Sequence, residues 1–70
     1  MRTFTKTSTR LNGKDRTSTV SVEPCANVVL VRSRDEASPM PHLDRRSSRN
    51  PQRDAGRIAR DLLADGYTEA

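Results

Sequence analysis

Seventy residues allow one small domain, and a chain this short buries only a modest share of its surface, so its stability margin is thin. Apolar residues make up 31% and charged residues another 31%, near the edge of what folds without a partner, so part of the chain is expected to be unstructured. The net charge of +4 and a pI near 10.2 favour polyanionic partners and exclude a protein that imitates DNA.

That charge is unevenly placed, at +4 over residues 1–16, −2 over 17–44, +4 over 45–53 and −2 over 54–70. Arginine outnumbers lysine eleven to two, from either a G+C-rich coding genome or a use for forked guanidinium chemistry on phosphate. The single cysteine, Cys25, cannot form an internal disulfide, which points to a reducing, cytoplasmic setting. Nothing in the sequence approaches the apolar length of a membrane span, and the N-terminus lacks a signal-peptide core. A soluble protein is expected.

Residues 3–11 are dense in β-branched threonine, and residues 16–23 alternate with period two. Between them Asn12-Gly13 is a strong hairpin signal, because a type I′ turn needs positive φ at both central positions. A two-residue loop there pairs Leu11 with Lys14, Arg10 with Asp15 and Arg2 with Glu23. It sets Thr3 beside Val22 and Thr5 beside Val20. Toward the turn, the face meant for the core becomes Thr7, Ser18, Thr9, Arg16 and Lys14, too polar to bury. The ribbon is therefore expected to project beyond the core.

Pro24-Cys25-Ala26-Asn27 reads as the next turn, leading into Val28-Val29-Leu30-Val31-Arg32, which holds the one run of four large apolar residues in the chain. A four-residue loop pairs Glu23 with Val28, Val22 with Val29 and Val20 with Val31. Thr3, Thr5, Val20, Val22, Val29 and Val31 then share the core face, while Phe4, Ser21, Val28 and Leu30 share the other.

Residues 34–49 hold Pro39, Pro41 and a basic cluster without periodicity, which reads as a mobile basic loop. Asn50-Pro51 is a helix start, since Asn caps and Pro at the first helical position loses no hydrogen bond. Ala55, Ile58, Ala59, Leu62 and Leu63 form one helical stripe and Gly66 supplies the stop. A helix over 51–65 is predicted, with Gly56 permitting close approach to a strand.

The expected fold is therefore α+β. A three-stranded antiparallel meander (1–33) is followed by the loop (34–49) and by a C-terminal helical unit (50–67) packed on one face. By layout this is similar to the small sheet-plus-helix DNA-binding modules of phage integrases and plant transcription factors.

Little in the sequence supports catalysis. One cysteine and one histidine match no metal-ligand spacing, and no Gly-rich phosphate loop is present. Ser47, Ser48 and His42 are near in sequence but lie in the segment read as mobile. Asp61 and Asp65, one turn apart, read as an exposed acidic edge. No enzyme, cofactor or metal is expected.

Two basic features remain. The hairpin tip carries Arg10, Lys14 and Arg16, and a two-stranded ribbon fits the DNA major groove; the other reading is a tip kept charged against edge aggregation. Arg45, Arg46 and Arg49, with Arg53 just inside the helix, form either a phosphate-contacting arm or a solubilising linker. Aromatic residues are confined to Phe4 and Tyr67, which argues against a base-stacking platform.

The order Phe4-Thr5-Lys6-Thr7-Ser8, Asn12-Gly13, Val20-Ser21-Val22, Val29-Leu30-Val31-Arg32-Ser33 and Pro39 to Leu43 before a final helix resembles a small actinobacterial domain of unknown function. That domain accompanies helix-turn-helix regulators of the WhiJ type. The resemblance spans most of the chain and implies a regulator-associated binding protein. The family's tryptophans are absent here, and no functional residue carries over.

The expected function is non-enzymatic binding of nucleic acid, duplex DNA first. The alternative is a protein-binding inhibitor or accessory factor, such as a phage-encoded anti-defence protein or a regulator's partner. Phe4, Val28 and Leu30, placed opposite the helix on a sheet whose edge is Val28–Arg32, predict either a homodimer or a 34–49 loop folded back so that Met40 and Leu43 cover the patch.

Overall fold

The computed structural model describes residues 1–9, 13, 15–36 and 40–70. The fold is α+β, an antiparallel sheet with one helix on one face. In chain order the elements are β1 (Arg2–Thr9), β2 (Asp15–Cys25), β3 (Val28–Asp35), β4 (His42–Ser47), α1 (Pro51–Ala64) and β5 (Thr68–Glu69). The sheet has five strands in the order β4-β3-β2-β1-β5, not the three expected.

Both additional strands lie at the edges. In place of a mobile loop, residues 42–47 form β4 and pair along β3 from Val28↔Ser47 to Ser33↔His42. The apolar strand β3 would otherwise leave a row of backbone donors and acceptors unpaired, and β4 satisfies them. It has no apolar alternation because both of its faces are largely exposed. After the helix, β5 pairs Phe4↔Glu69 and Thr5↔Thr68, and the Ala70 amide donates to the Thr3 carbonyl at 2.8 Å.

The register of the first hairpin differs from the expected one by a single residue. Thr9 faces Asp15, Thr5 faces Thr19 and Phe4 faces Val20. One step of slip moves all of β1 to its other face. Phe4 consequently lies in the core, fully buried, with Val20, Val22, Val29, Ala55 and Ala59 around it. The expected register would have left this ring on the face without a helix, forgoing roughly 1.5–3 kcal/mol of burial. Gly13 has φ +80 and the predicted Asn12 turn falls outside the described residues, while Asp15, expected opposite Arg10, faces Thr9 instead. Arg2 faces Val22 and makes its ion pair with Glu69, not Glu23.

The β2–β3 connection is two residues, Ala26-Asn27, rather than four, so Cys25 faces Val28, Pro24 faces Val29 and Val22 faces Val31. Asn27 takes φ 64, a conformation asparagine tolerates better than most residues. A two-residue shift preserves sidedness, so Val20, Val22 and Val29 keep the core face expected of them, with Val31 partly buried beside them.

The helix follows its sequence signals. Asn50 Oδ1 accepts from the Arg53 amide at 3.2 Å, and Pro51 occupies the first turn. At the other end Gly66, at φ +99, donates to the Leu63 carbonyl, and Tyr67 N–H reaches Leu62 O at 3.0 Å. That pair of bonds is a Schellman stop, accompanied by Leu62 and Tyr67 both packing on the core. Gly56 faces open space, so it mediates no close approach to a strand.

Two grounds for self-association fall with this topology. Phe4 is a core residue on the helix side, and β3 is an interior strand covered by β4. Val28 and Leu30 do lie on the face away from the helix, half-buried among Leu43, Arg45 and Ser47.

Beyond the last β2–β3 pair, Ser18↔Asp35, the first hairpin continues through Thr7↔Thr17, Ser8↔Arg16 and Thr9↔Asp15. Glu36 N–H still donates to the Thr17 carbonyl at 3.3 Å, and past that rung β1 and β2 continue as a two-stranded ribbon among the described residues.

Two substitutions test this packing. Phe4→Ala should cost about 3–5 kcal/mol and unfold much of the population, whereas Thr5→Ala should cost less than about 1 kcal/mol. In the alternative register Thr5 would be the core residue, and that order would reverse in chemical denaturation. Gly56→Ala, in a helix interior with free space for the methyl group, should stabilise by about 1 kcal/mol and raise the midpoint of thermal unfolding.

Candidate nucleic-acid interface

Strand alternation assigns each charged side chain to one of two faces. Paired residues point the same way, so the residues in register with Phe4, Val22 and Val29 share the helix side. On β1 and β2 these include Arg2, Lys6, Ser8, Arg16 and Ser18. On β3 and β4 they include Asp35, His42, Asp44 and Arg46. The opposite face, with no helix over it, carries Thr3, Thr5, Thr7 and Thr9 on β1, and Thr17, Thr19, Ser21 and Glu23 on β2. Asp15 and Cys25 of β2, Val28, Leu30, Arg32 and Arg34 of β3 and Leu43, Arg45 and Ser47 of β4 also lie on it.

Three arginines on the helix-side face are held by carboxylates. Arg2 grips Glu69 through two bonds of 2.9 and 2.6 Å, Arg16 pairs with Asp35, and Arg46 meets Asp44 at 2.9 Å. Lys6 donates to the Asp65 carbonyl at 2.8 Å and lies 5.6 Å from the centre of the Tyr67 ring. A cation there satisfies the negative end of α1. The bonds from Arg2 hold the Glu69 carboxyl below the ordinary glutamate range, and Glu69 in turn raises the Arg2 guanidinium.

On the open face the balance differs. Arg32, Arg34 and Arg45 are exposed and make no ion pair among the described residues. Across the rungs Arg34 continues into Thr19, Thr5 and Thr68, and Arg32 into Ser21 and Thr3. The hydroxyls of Thr3 and Ser21 lie 3.4 Å apart, as do those of Thr7 and Thr17, and Thr9 donates to Asp15 at 3.0 Å.

The seven basic residues expected at the site do not form one cluster. Arg10 and Lys14 lie outside the described residues. Arg16 sits at the ribbon base on the helix side, engaged by Asp35. Arg45 and Arg46, adjacent in sequence, point to opposite faces because they belong to a strand. Arg49 and Arg53 are exposed around the start of α1. There, Ser48 Oγ bonds the Asp54 carboxylate and accepts from the Asn50 amide at 3.2 Å.

Arg32 and Arg34 were missed by sequence reasoning. The signal was their period-two continuation of Val28 and Leu30, and it was obscured by a strand end expected at Arg32. Arg57 and Arg60, which with Arg53 recur at helical spacing opposite the Ala55–Ala59 stripe, were also passed over.

His42 and Ser47 stand at opposite ends of β4, roughly 17 Å apart at strand rise, so extension separates two side chains that are near in sequence. Among the described residues no three His, Cys, Asp or Glu side chains converge as metal ligands, and no helix is long and apolar enough to cross a membrane. Comparison with protein-family models, curated proteins and solved structures finds no match to this chain.

The Glu69 clip has a pH signature. A carboxyl lowered in the folded state contributes stability that is present above its ordinary range and is lost as pH falls through the lowered folded value. Acidification through that window should lower the thermal midpoint and reduce the protection factor of the Ala70 amide, whose N–H bonds to the Thr3 carbonyl, relative to its intrinsic exchange rate at each pH. Glu69→Gln should show the weakened clip already at neutral pH, with a flatter acid response. An unchanged acid response in that variant would assign the titration elsewhere.

Proposed function

We propose that this chain is a non-enzymatic nucleic-acid-binding protein that engages duplex DNA, with its projecting hairpin entering the major groove. The observation that carries this reading is that, among the described residues, the sheet beyond Glu36 consists of β1 and β2 alone. Two strands about 4.8 Å apart suit a groove about 12 Å wide, whereas five strands span about 19 Å between outer axes and do not enter it. The ribbon presents hydroxyls from Thr7, Thr9 and Thr17, which serve both phosphate and base edges. Arg10 and Lys14, which fall between β1 and β2 in the sequence, supply positive charge, and Arg45, Arg49 and Arg53 add to the chain's basic balance. A cytoplasmic setting belongs to the same reading.

A second reading, a protein-binding inhibitor or accessory factor such as an anti-defence protein or a regulator's partner, draws on a different observation. Between α1 and β4 runs a groove lined by Val29, Arg46, Ile58, Asp61 and Leu62, apolar at its floor and charged at its rim. The resemblance to the WhiJ-associated domain is compatible with either reading.

A gel shift across a salt series separates them. Duplex binding that weakens steeply with salt supports the first reading, and replacing Arg10 and Lys14 with Gln should lower the salt slope by about one unit for each phosphate no longer engaged. No shift at low salt, together with capture of a specific protein partner, would favour the second.

A further inference from the structure

We propose that the open face of the sheet, through Arg32, Arg34 and Arg45, seats the phosphodiester backbone bordering the groove, so that α1 points away from the DNA. This rests on the duplex-binding reading and specifies its second point of attachment.

Ion pairing is divided unevenly between the two faces of the sheet. Arg2, Arg16 and Arg46 on the helix side each have a carboxylate, whereas Arg32, Arg34 and Arg45 have none among the described residues. Three exposed guanidiniums that form no ion pair among the described residues repel one another, and an external anion relieves that repulsion while accepting their forked donors.

Their arrangement suits a linear polyanion. Arg32 and Arg34 are two residues apart on one strand, about 6.7 Å. Arg45, opposite Leu30, is diagonal to Arg32 across one rung, at about 7–8 Å. The three make a column about 14 Å long, matching about four nucleotides at 3.4 Å per strand. Hydroxyls of Thr3, Thr5, Thr19 and Ser21 lie on the same face beside Arg32 and Arg34. Neutral donors there keep the surface hydrated without opposing an anion. Glu23, opposite Leu30 and so diagonal to Arg32 on the side away from Arg45, is one carboxylate beside three guanidiniums and forms no ion pair with them.

Position relative to the ribbon completes the case. The ribbon is built from β1 and β2, and the column lies on β3 and β4, one to two strand spacings to the side, about 5–10 Å. A ribbon lying in a groove about 12 Å wide brings that flank over the phosphates at the groove wall. The outward stripe of α1 is the natural comparison. Arg53, Arg57 and Arg60 are also exposed and also three, but Asp54 and Asp61 lie beside them on the same helix.

The test compares Arg32→Gln/Arg34→Gln/Arg45→Gln with Arg53→Gln/Arg57→Gln/Arg60→Gln on one labelled duplex, since both remove three charges. The sheet triple should bind at least about tenfold more weakly, with a salt slope smaller by about 2.7 units, while the helix triple stays within about threefold of wild type. In wild-type protein, duplex should also shield Arg32, Arg34 and Arg45 from phenylglyoxal and leave Arg57 and Arg60 reactive. That readout stands even where a variant folds poorly. Equal losses in both triples, or shielding of the helix arginines in place of the sheet arginines, overturns this assignment and leaves duplex binding intact. A wild-type protein that binds no duplex at low salt overturns the duplex-binding reading itself.

Discussion

Phe4 lies fully buried between the sheet and α1, and the placement of that ring sets the facing of every residue on β1. With Phe4 inward, the alternate residues Arg2 and Lys6 also point to the helix side. There they reach Glu69 and the end of α1, the two features that hold the C-terminus. Threonines 3, 5, 7 and 9 are then turned outward together. One hydrophobic burial in a core of six small-to-medium residues thus decides both how the C-terminus is fastened and what the open face consists of.

The same facing rule divides the arginines. Those on the helix side have carboxylates within reach because β3, β4 and β5 place Asp35, Asp44 and Glu69 on that side too. Exposed pairs of this kind contribute little to stability individually. Their larger consequence is that they occupy the guanidiniums of the helix side, while Arg32, Arg34 and Arg45 on the open face form no ion pair among the described residues.

Edge protection follows a related logic. β4 covers the most apolar strand with a strand whose own sequence is charged, and β5 covers the inner half of β1 with two residues fixed by an ion pair and a Schellman stop. Both end a sheet without drawing on the few apolar residues the chain has. The groove between α1 and β4 is left because the helix centres over β2 and leaves β4 without a cover on that side.

Helix α1 was legible in the sequence to within a residue, because Asn50, Pro51, the apolar stripe and Gly66 all act within a few residues of one another. The existence of β1, β2 and β3, and the common face of Val20, Val22 and Val29, were legible for the same reason, since alternation is local. The pairing of β1 was not. A period-two pattern fits two registers equally until one asks which face holds the helix, and only the assembled core shows Phe4 to be worth more inside than two threonines. β4 carries no apolar signature, because what stabilises it is the unpaired backbone of β3, a partner distant in sequence. Candidate contacts at Arg32 and Arg34 stayed hidden behind a misplaced strand end, and Arg45 and Arg46 looked like one cluster until an extended backbone turned them apart. Sequence determined the elements whose signals are local; tertiary structure decided register, edges and the sidedness of charge, because those depend on which distant strands compete for one another's backbone and which face the helix covers.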